Sequence, residues 1–296
     1  MRHHAFIANI MGAAMALAFA VTAQALNNRS FVAMTGDDAN NCSAGAYCRT
    51  FTAALAVTNP GGEIVVVDSG GYGAATISQP VVITAIGIDA SITATSGNAL
   101  TINTTGDVTI TGLNLHGEGT GSSGVEVFAV GFLRLYNMQI ENFASFGIDF
   151  SVNGNLAVYD SKITDSGLDG LAANNASAKV YVQNTAFDHN AGFGALANGG
   201  ATLTIVDSSA HYNTIAFEAT NSSMALYGDR VMLNTFGIVA AGGTGQLYFA
   251  DCLVSDNTTS YAVGDGGTMT GSNPGTTLIT PGQATNGTLS TATVLQ

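Results

Sequence analysis

The chain has 296 residues, 46% of them hydrophobic and only 9% charged, with 37 glycines, four prolines, three cysteines and no tryptophan. That balance excludes a disordered chain and a disulfide-dense scaffold, and a chain this long buries a sizeable core. Seven Lys and Arg against 20 Asp and Glu leave a formal charge of −13, which argues against nucleic acid or an anionic membrane as a partner held by a basic patch.

Residues 1–25 have the pattern of a secretory signal. Arg2 gives a positive start, an apolar stretch runs from Ile10 to Val21, and Ala23-Gln24-Ala25 offers small-x-small cleavage. The apolar stretch falls short of the roughly 20 residues that span a bilayer. The expectation is a secreted or periplasmic protein, cleaved after Ala25, with no membrane span. Residues 26–61 come next as an N-terminal cap. Phe51 and Leu55, four apart, predict a short helix over Thr50 to Val57, ended by Pro60-Gly61-Gly62, with one apolar face laid over the first coil of a repeat that begins at residue 62. Cys42 and Cys48 lie six apart, and an oxidising compartment would let them pair. Cys252 sits in a periodic apolar segment and reads as a buried thiol.

From residue 62 to 267 the chain repeats. Each copy opens on two alternating apolar residues and an Asn or Asp: Leu133-x-Leu135-x-Asn137, Leu156-x-Val158-x-Asp160, Val180-x-Val182-x-Asn184, Leu203-x-Ile205-x-Asp207, and Leu247-x-Phe249-x-Asp251, with Met224-x-Leu226 beginning a further one. A second landmark falls at Asn142, Asp165, Asn190, Asn213, Asn234 and Asn257, and a third at Ile148, Leu171, Ala195, Phe217, Ile238 and Val263. Looser copies reach back through Val108-x-Ile110 and Val81-x-Ile83. No apolar segment is long enough for a helix, and the period-2 alternation marks each as a strand with one face inward. Three short strands per copy, stacked on those of the next, make an all-β parallel β-helix of about eight or nine coils. The second landmark suits a turn needing left-handed dihedrals and, stacked, an asparagine ladder that Asp165 interrupts, because a carboxylate donates no hydrogen bond. Residues 268–296, rich in Thr, Gly, Ser and Asn, read as an irregular closing segment or mobile tail.

The entry Gly36-Asp37-Asp38 with Asn41-Cys42, then Cys48-Arg49-Thr50-Phe51, Gly61-Gly62-Glu63-Ile64, Gly70-Gly71-Tyr72-Gly73, the Gly112-Leu113 to Gly117 step and the repeated Asn-x-x-x-x-Gly-Ile type turn carry a resemblance. In this order, over residues 31–267, they resemble the secreted right-handed parallel β-helix proteins of the pectin-lyase-like group, above all its short bacterial members. The resemblance implies the right hand of the coil, and, in the enzymes of the group, a substrate laid along one exterior sheet.

The outward residues of the first strand of each copy include Tyr136, Tyr159, Tyr181, Tyr227 and Tyr248, with Arg134 among them. Five tyrosines on one face suit sugar rings as a stacking platform, and equally suit strand residues that stack between coils. Hydrolysis would need two carboxylates. Asp160 and Asp207 lie two coils apart, and Asp149 and Glu218 three coils apart on another sheet. The first pair shares a column with Asn137 and Asn184, which favours turn capping. Asp165-Ser166-Gly167-Leu168-Asp169-Gly170 faintly resembles the paired-Asp segment of polygalacturonases, but their Gly-His-Gly and Arg-x-Lys elements are missing. The lyases of the group use an Arg or Lys base, whereas Arg29, Arg49, Arg134, Lys162, Lys179 and Arg230 are scattered over different copies.

Asp188, His189 and His211 are candidates for a metal site that would need a bulge, since neighbours along a strand point to opposite faces. Gly119-x-Gly121-x-x-Gly124 matches a dinucleotide fingerprint in letters only, with no helix after it. No cofactor is implied. The expectation is a non-catalytic exported protein that binds an extracellular or cell-wall polysaccharide, or serves as a rigid surface module, through its exterior sheets. A polysaccharide lyase or glycoside hydrolase is the first alternative and a purely structural adhesin-like rod the second.

Overall fold

Each copy of the repeat contributes one strand to each of three parallel sheets in the computed structural model, which describes residues 26–273, 278–279 and 288–293. The leader expected at 1–25 lies outside the described residues. Sheet A has 12 strands, among them Phe132–Tyr136, Gly154–Tyr159, Ala178–Gln183, Thr202–Val206, Ser223–Tyr227 and Gln246–Ala250. Sheet B has 10, including Gln139–Glu141, Lys162–Thr164, Ala186–Asp188, Ser209–His211 and Arg230–Met232. Sheet C has 9, including Ser123–Ala129, Phe146–Asp149, Leu171–Ala173, Phe193–Asn198 and Ile215–Thr220. The chain passes from A to B to C and back to A, so every strand lies beside its equivalent one coil away.

Register puts like on like. Leu133 pairs with Leu156, Leu156 with Val180, Val180 with Leu203, and Leu203 with Met224, all buried. The interior is filled by size matching between sheets. Phe187 of sheet B and Phe217 of sheet C meet edge to face at 5.9 Å, and each has an alanine on one side in its own column, Ala210 beside Phe187 and Ala195 beside Phe217, with Ile163 and Ile238 on the other. In the last copy the sheet C column continues from Ile238 into Tyr261, and Val263 pairs with Ala240 instead.

The cap helix forms where the sequence predicts it, but Pro60-Gly61-Gly62, expected as its terminator, lie inside the strand Thr58–Val66 that follows it directly. Helix α1 (Phe51–Val57) starts at Thr50, whose hydroxyl oxygen accepts the Ala53 N–H at 3.2 Å and donates to Asp38 Oδ2 at 2.9 Å. It buries Phe51, Ala54 and Leu55. Ahead of it, Asn27–Val32 pairs with Thr58–Val66 and extends sheet A by one strand. Cys42 and Cys48 are joined by a disulfide, and Cys252 is a buried free thiol.

Two sequence expectations are corrected. The segment after 267 supplies strands: Thr268–Asn273 pairs with Gln246–Ala250, and Thr288–Thr293 pairs with Thr268–Asn273. Its threonines are β-branched residues that suit a pleated sheet as well as a loop. The second landmark divides into two columns. Asn142 and Asp165 have positive φ and align with His189, Tyr212, Leu233 and Asp256, which take the left-handed turn in later coils. The ladder is the next column, where Asn190, Asn213, Asn234 and Asn257 pass Nδ2–H to Oδ1 at 3.0 Å from coil to coil. Asp165 therefore does not interrupt the ladder. Ser166 ends it, its backbone N–H bonded to Asn190 Oδ1 and its buried hydroxyl without a partner.

Candidate functional site

The chain turns from sheet A into sheet B through one residue per coil, and that residue is left-handed: Asn137, Asp160, Asn184, Asp207, Gly228 and Asp251 all have φ between 49° and 72°. Asn, Asp and Gly tolerate this conformation better than other residues, which explains the column the sequence displays. The first four of these side chains form the floor of a groove along the corner, about 500 Å³ in volume, running from Asn137 to Gly228. The sheet B bank carries Gln139, Lys162, Ala186, Ser209 and Arg230, which align across successive coils. Ala186 and Ser209 are small, so the bank is hollowed between Lys162 and Arg230. Asn184 Nδ2 donates to Asp160 Oδ1 at 2.7 Å. Asp207 Oδ1 lies close over Gly228, where a Cβ would meet it at 2.5 Å.

Beneath the floor a column of inward hydroxyls ties the coils together. Ser161 Oγ accepts the Met138 N–H at 3.0 Å and donates to the Tyr159 carbonyl at 2.7 Å. Ser208 Oγ does the same for Thr185 and Val206, at 3.1 and 2.9 Å. In the next coil the column holds Asp229, which is fully buried. Its two carboxylate oxygens accept the N–H groups of Ser208 and Tyr227, and burial still pushes its pKa up to about 7. Cys252 comes one coil later, its thiol pushed up to about 12 by burial and then by the Asp229 charge.

The tyrosines expected as a platform stand along the sheet A bank, but not as one surface. Tyr136 and Tyr159 are stacked, centroids 4.9 Å apart and planes 7° apart, and Tyr181 leans on Tyr159 at 5.8 Å and 46°. Parallel rings this close overlap face to face, so the faces a sugar would need are spent on each other. Tyr227 and Tyr248 are exposed and have no ring partner among the described residues. Tyr227 directly precedes Gly228 at one end of the groove. Arg134 is likewise engaged, its guanidinium 3.7 Å from the Phe132 ring centroid and bonded to Asp107 at 3.2 Å.

Sheet C carries a second set of polar groups. Glu126 aligns with Asp149, and the same outward column continues through Ala172 and Leu196 to Glu218, so Asp149 and Glu218 are three coils apart as expected. Asp169, a turn residue with no periodic signal, comes between them and accepts the Phe193 N–H at 3.1 Å. Burial raises the pKa of Glu126, reinforced by Asp149. It raises Asp169 too, where the charges of Asp149 and Glu218 add to it. Glu218 is raised by burial against a bond from the Thr220 hydroxyl. Sequence reasoning named Asp149 and Glu218 but missed Glu126 and gave Asp169 no role here.

The metal candidates separate. Asp188 Oδ1 bonds His211 Nδ1 at 2.9 Å, while His189, at the left-handed corner, stacks on Tyr212 at 4.7 Å. Among the described residues no group of three or more His, Cys, Asp or Glu side chains is placed to hold a metal ion, and no helix is long and apolar enough to cross a membrane.

A family model described as right handed beta helix region matches residues 85–279. Among solved structures the chain is similar to an alginate lyase from Paenibacillus sp. str. FPU-7, at 14% identity and a TM-score of 0.59, covering 90% of this chain and 99% of that one. It is also similar to XylC, solved in complex with xylose, at 10% identity and a TM-score of 0.58, covering 88% and 70%. Identities this low make the likeness one of fold. No curated protein matches the chain.

Proposed function

The chain belongs to the right-handed β-helix family, and from that premise we propose that it is an exported, non-catalytic polysaccharide-binding protein whose ligand lies in the groove between sheets A and B. One observation carries this reading: a groove of about 500 Å³ lined by three amides, two carboxylates and two cations, with the free ring of Tyr227 next to its last lining turn. Carboxylates and amides at fixed spacing accept and donate to sugar hydroxyls, and an open aromatic face covers the apolar side of a sugar ring. The fold is shared with the alginate lyase and XylC, which supports a carbohydrate ligand by analogy.

A second reading, glycoside hydrolysis on sheet C, is favoured by a separate observation. Burial raises the pKa of Glu126, Asp169 and Glu218, as a general acid requires, and Asp149 on the same sheet adds a further carboxylate.

Incubation of the mature protein with neutral and acidic polysaccharides, with retention and new reducing or unsaturated ends both measured, separates the readings. Retention without products is expected. Product release that disappears in Asp169→Asn would replace the binding role by the hydrolytic one, and no retention at all would leave a structural rod.

A further inference from the structure

Along the groove floor the side chains alternate: amide at Asn137, carboxylate at Asp160, amide at Asn184, carboxylate at Asp207. The turn itself does not require this, because Asn suits the left-handed conformation in every coil. Nor does stacking, since at the corner between sheets B and C four successive asparagines bond one another as an unbroken ladder. Among the four floor side chains Asn184 bonds Asp160, and the Asn137 amide and Asp207 carboxylate have no side-chain hydrogen-bond partner among the described residues. A carboxylate keeps acceptor sites beyond one such bond, so free acceptors on Asp160 and Asp207 stand two coils apart, roughly 9.6 Å from the strand spacing.

We infer that the groove takes a neutral, unbranched, extended glycan with a two-unit repeat, lying parallel to the rod axis at about one sugar per coil. This rests on the polysaccharide-binding reading and specifies its ligand. In a chain whose successive units are turned over, the same hydroxyls face the protein at every second unit, which matches carboxylates on every second coil. Neutrality follows from the lining charges. Lys162 and Arg230 on the bank balance Asp160 and Asp207 on the floor, so the four charged side chains sum to zero within a protein of formal charge −13. A row of uronate groups would be pressed against the floor carboxylates and repelled by the whole chain.

The test is calorimetric titration with cello- and manno-oligosaccharides of two to six units and with galacturonate oligosaccharides of the same lengths. Affinity for a neutral series should climb up to about four units, the number of alternating floor positions, and then level off; the galacturonate series should bind more weakly. The double variant Asp160→Asn with Asp207→Asn keeps residues that suit the turn, which thermal unfolding verifies, and should lose at least about tenfold in affinity as charge-assisted bonds go. Tighter binding of galacturonates, or unchanged affinity in the double variant, overturns the inference. So does failure of all neutral oligosaccharides while another polysaccharide is retained, an outcome that leaves the binding role standing; retention of no polysaccharide removes both.

Discussion

The Asp229 carboxylate accepts the backbone N–H of Ser208 at 2.8 Å through one oxygen and that of Tyr227 at 3.0 Å through the other, with no surface exposed to solvent. Its pKa, near 3.8 in the unfolded chain, is about 7 in the fold. Between these values the folded state holds a proton that the unfolded state has released, so stability falls as pH rises from about 4 to about 7, by at most about 1.4 kcal/mol per unit. The variant Asp229→Ser carries the residue found at 161 and 208 in the same column. Denaturant unfolding from pH 4.5 to 8 should show the wild type losing stability relative to this variant across that window. A constant difference between the two would contradict the assignment.

Ser166 ends the amide ladder with a buried, unpaired hydroxyl. An asparagine there would place its Nδ2 toward Asn190 Oδ1 and the carbonyl of the preceding coil, as Asn190 does toward Asn213. Ser166→Asn is expected to raise stability by about 1 kcal/mol, read as a higher Tm. The opposing Gly147 leaves room for it, as Gly170 does for Asn190.

Leu233 and Tyr212 occupy left-handed turns at φ of 61° and 57°, in a column that elsewhere holds Asn142, Asp165 and Asp256. A left-handed conformation costs an ordinary residue about 1–2 kcal/mol. Leu233→Asn should therefore stabilise the protein by about 1 kcal/mol in chemical denaturation, with a smaller gain pointing to apolar contacts that Leu233 makes in the native state.

Two tyrosine variants should part company. Tyr159→Ala removes the stack with Tyr136 and should lower stability by about 1 kcal/mol while leaving polysaccharide retention in place. Tyr227→Ala removes an exposed, unstacked ring beside the groove and should weaken retention with little change in Tm. Affinity gels run beside thermal unfolding distinguish the two, and equal loss of retention in both would restore the five-ring platform.

Fold was far more legible than site. Alternation such as Val180-x-Val182, recurring from Leu133 to Leu247 at intervals of 21 to 24 residues, points to a stacked coil that buries every copy, and Thr50 with Phe51 and Leu55 announces the cap helix. The ladder stands where the sequence puts it at Asn190, Asn213, Asn234 and Asn257, but its extension to Asn142 and Asp165 falls one residue off, because asparagine suits both the left-handed turn and the amide stack and letters alone do not separate Asn142 from Asn190. The spacing of 23 between Tyr136 and Tyr159 shows that the rings are neighbours, yet which way their faces point depends on side-chain torsions. The groove went unseen because its hollow comes from Ala186 and Ser209 being small on the second strand of the copy, whereas the outward tyrosines stand on the first. Asp169 comes to sheet C from a turn, outside every periodic pattern.

The central claim places a polysaccharide at the corner between sheets A and B, and amide chemical-shift mapping with the tightest-binding oligosaccharide tests it most directly. The account predicts that the N–H signals of Asn137, Asp160, Asn184, Asp207 and Gly228 move together on titration while sheet C stays still. Shifts confined instead to Glu126, Asp149, Asp169 and Glu218 would contradict it and place the ligand on the opposite set of carboxylates.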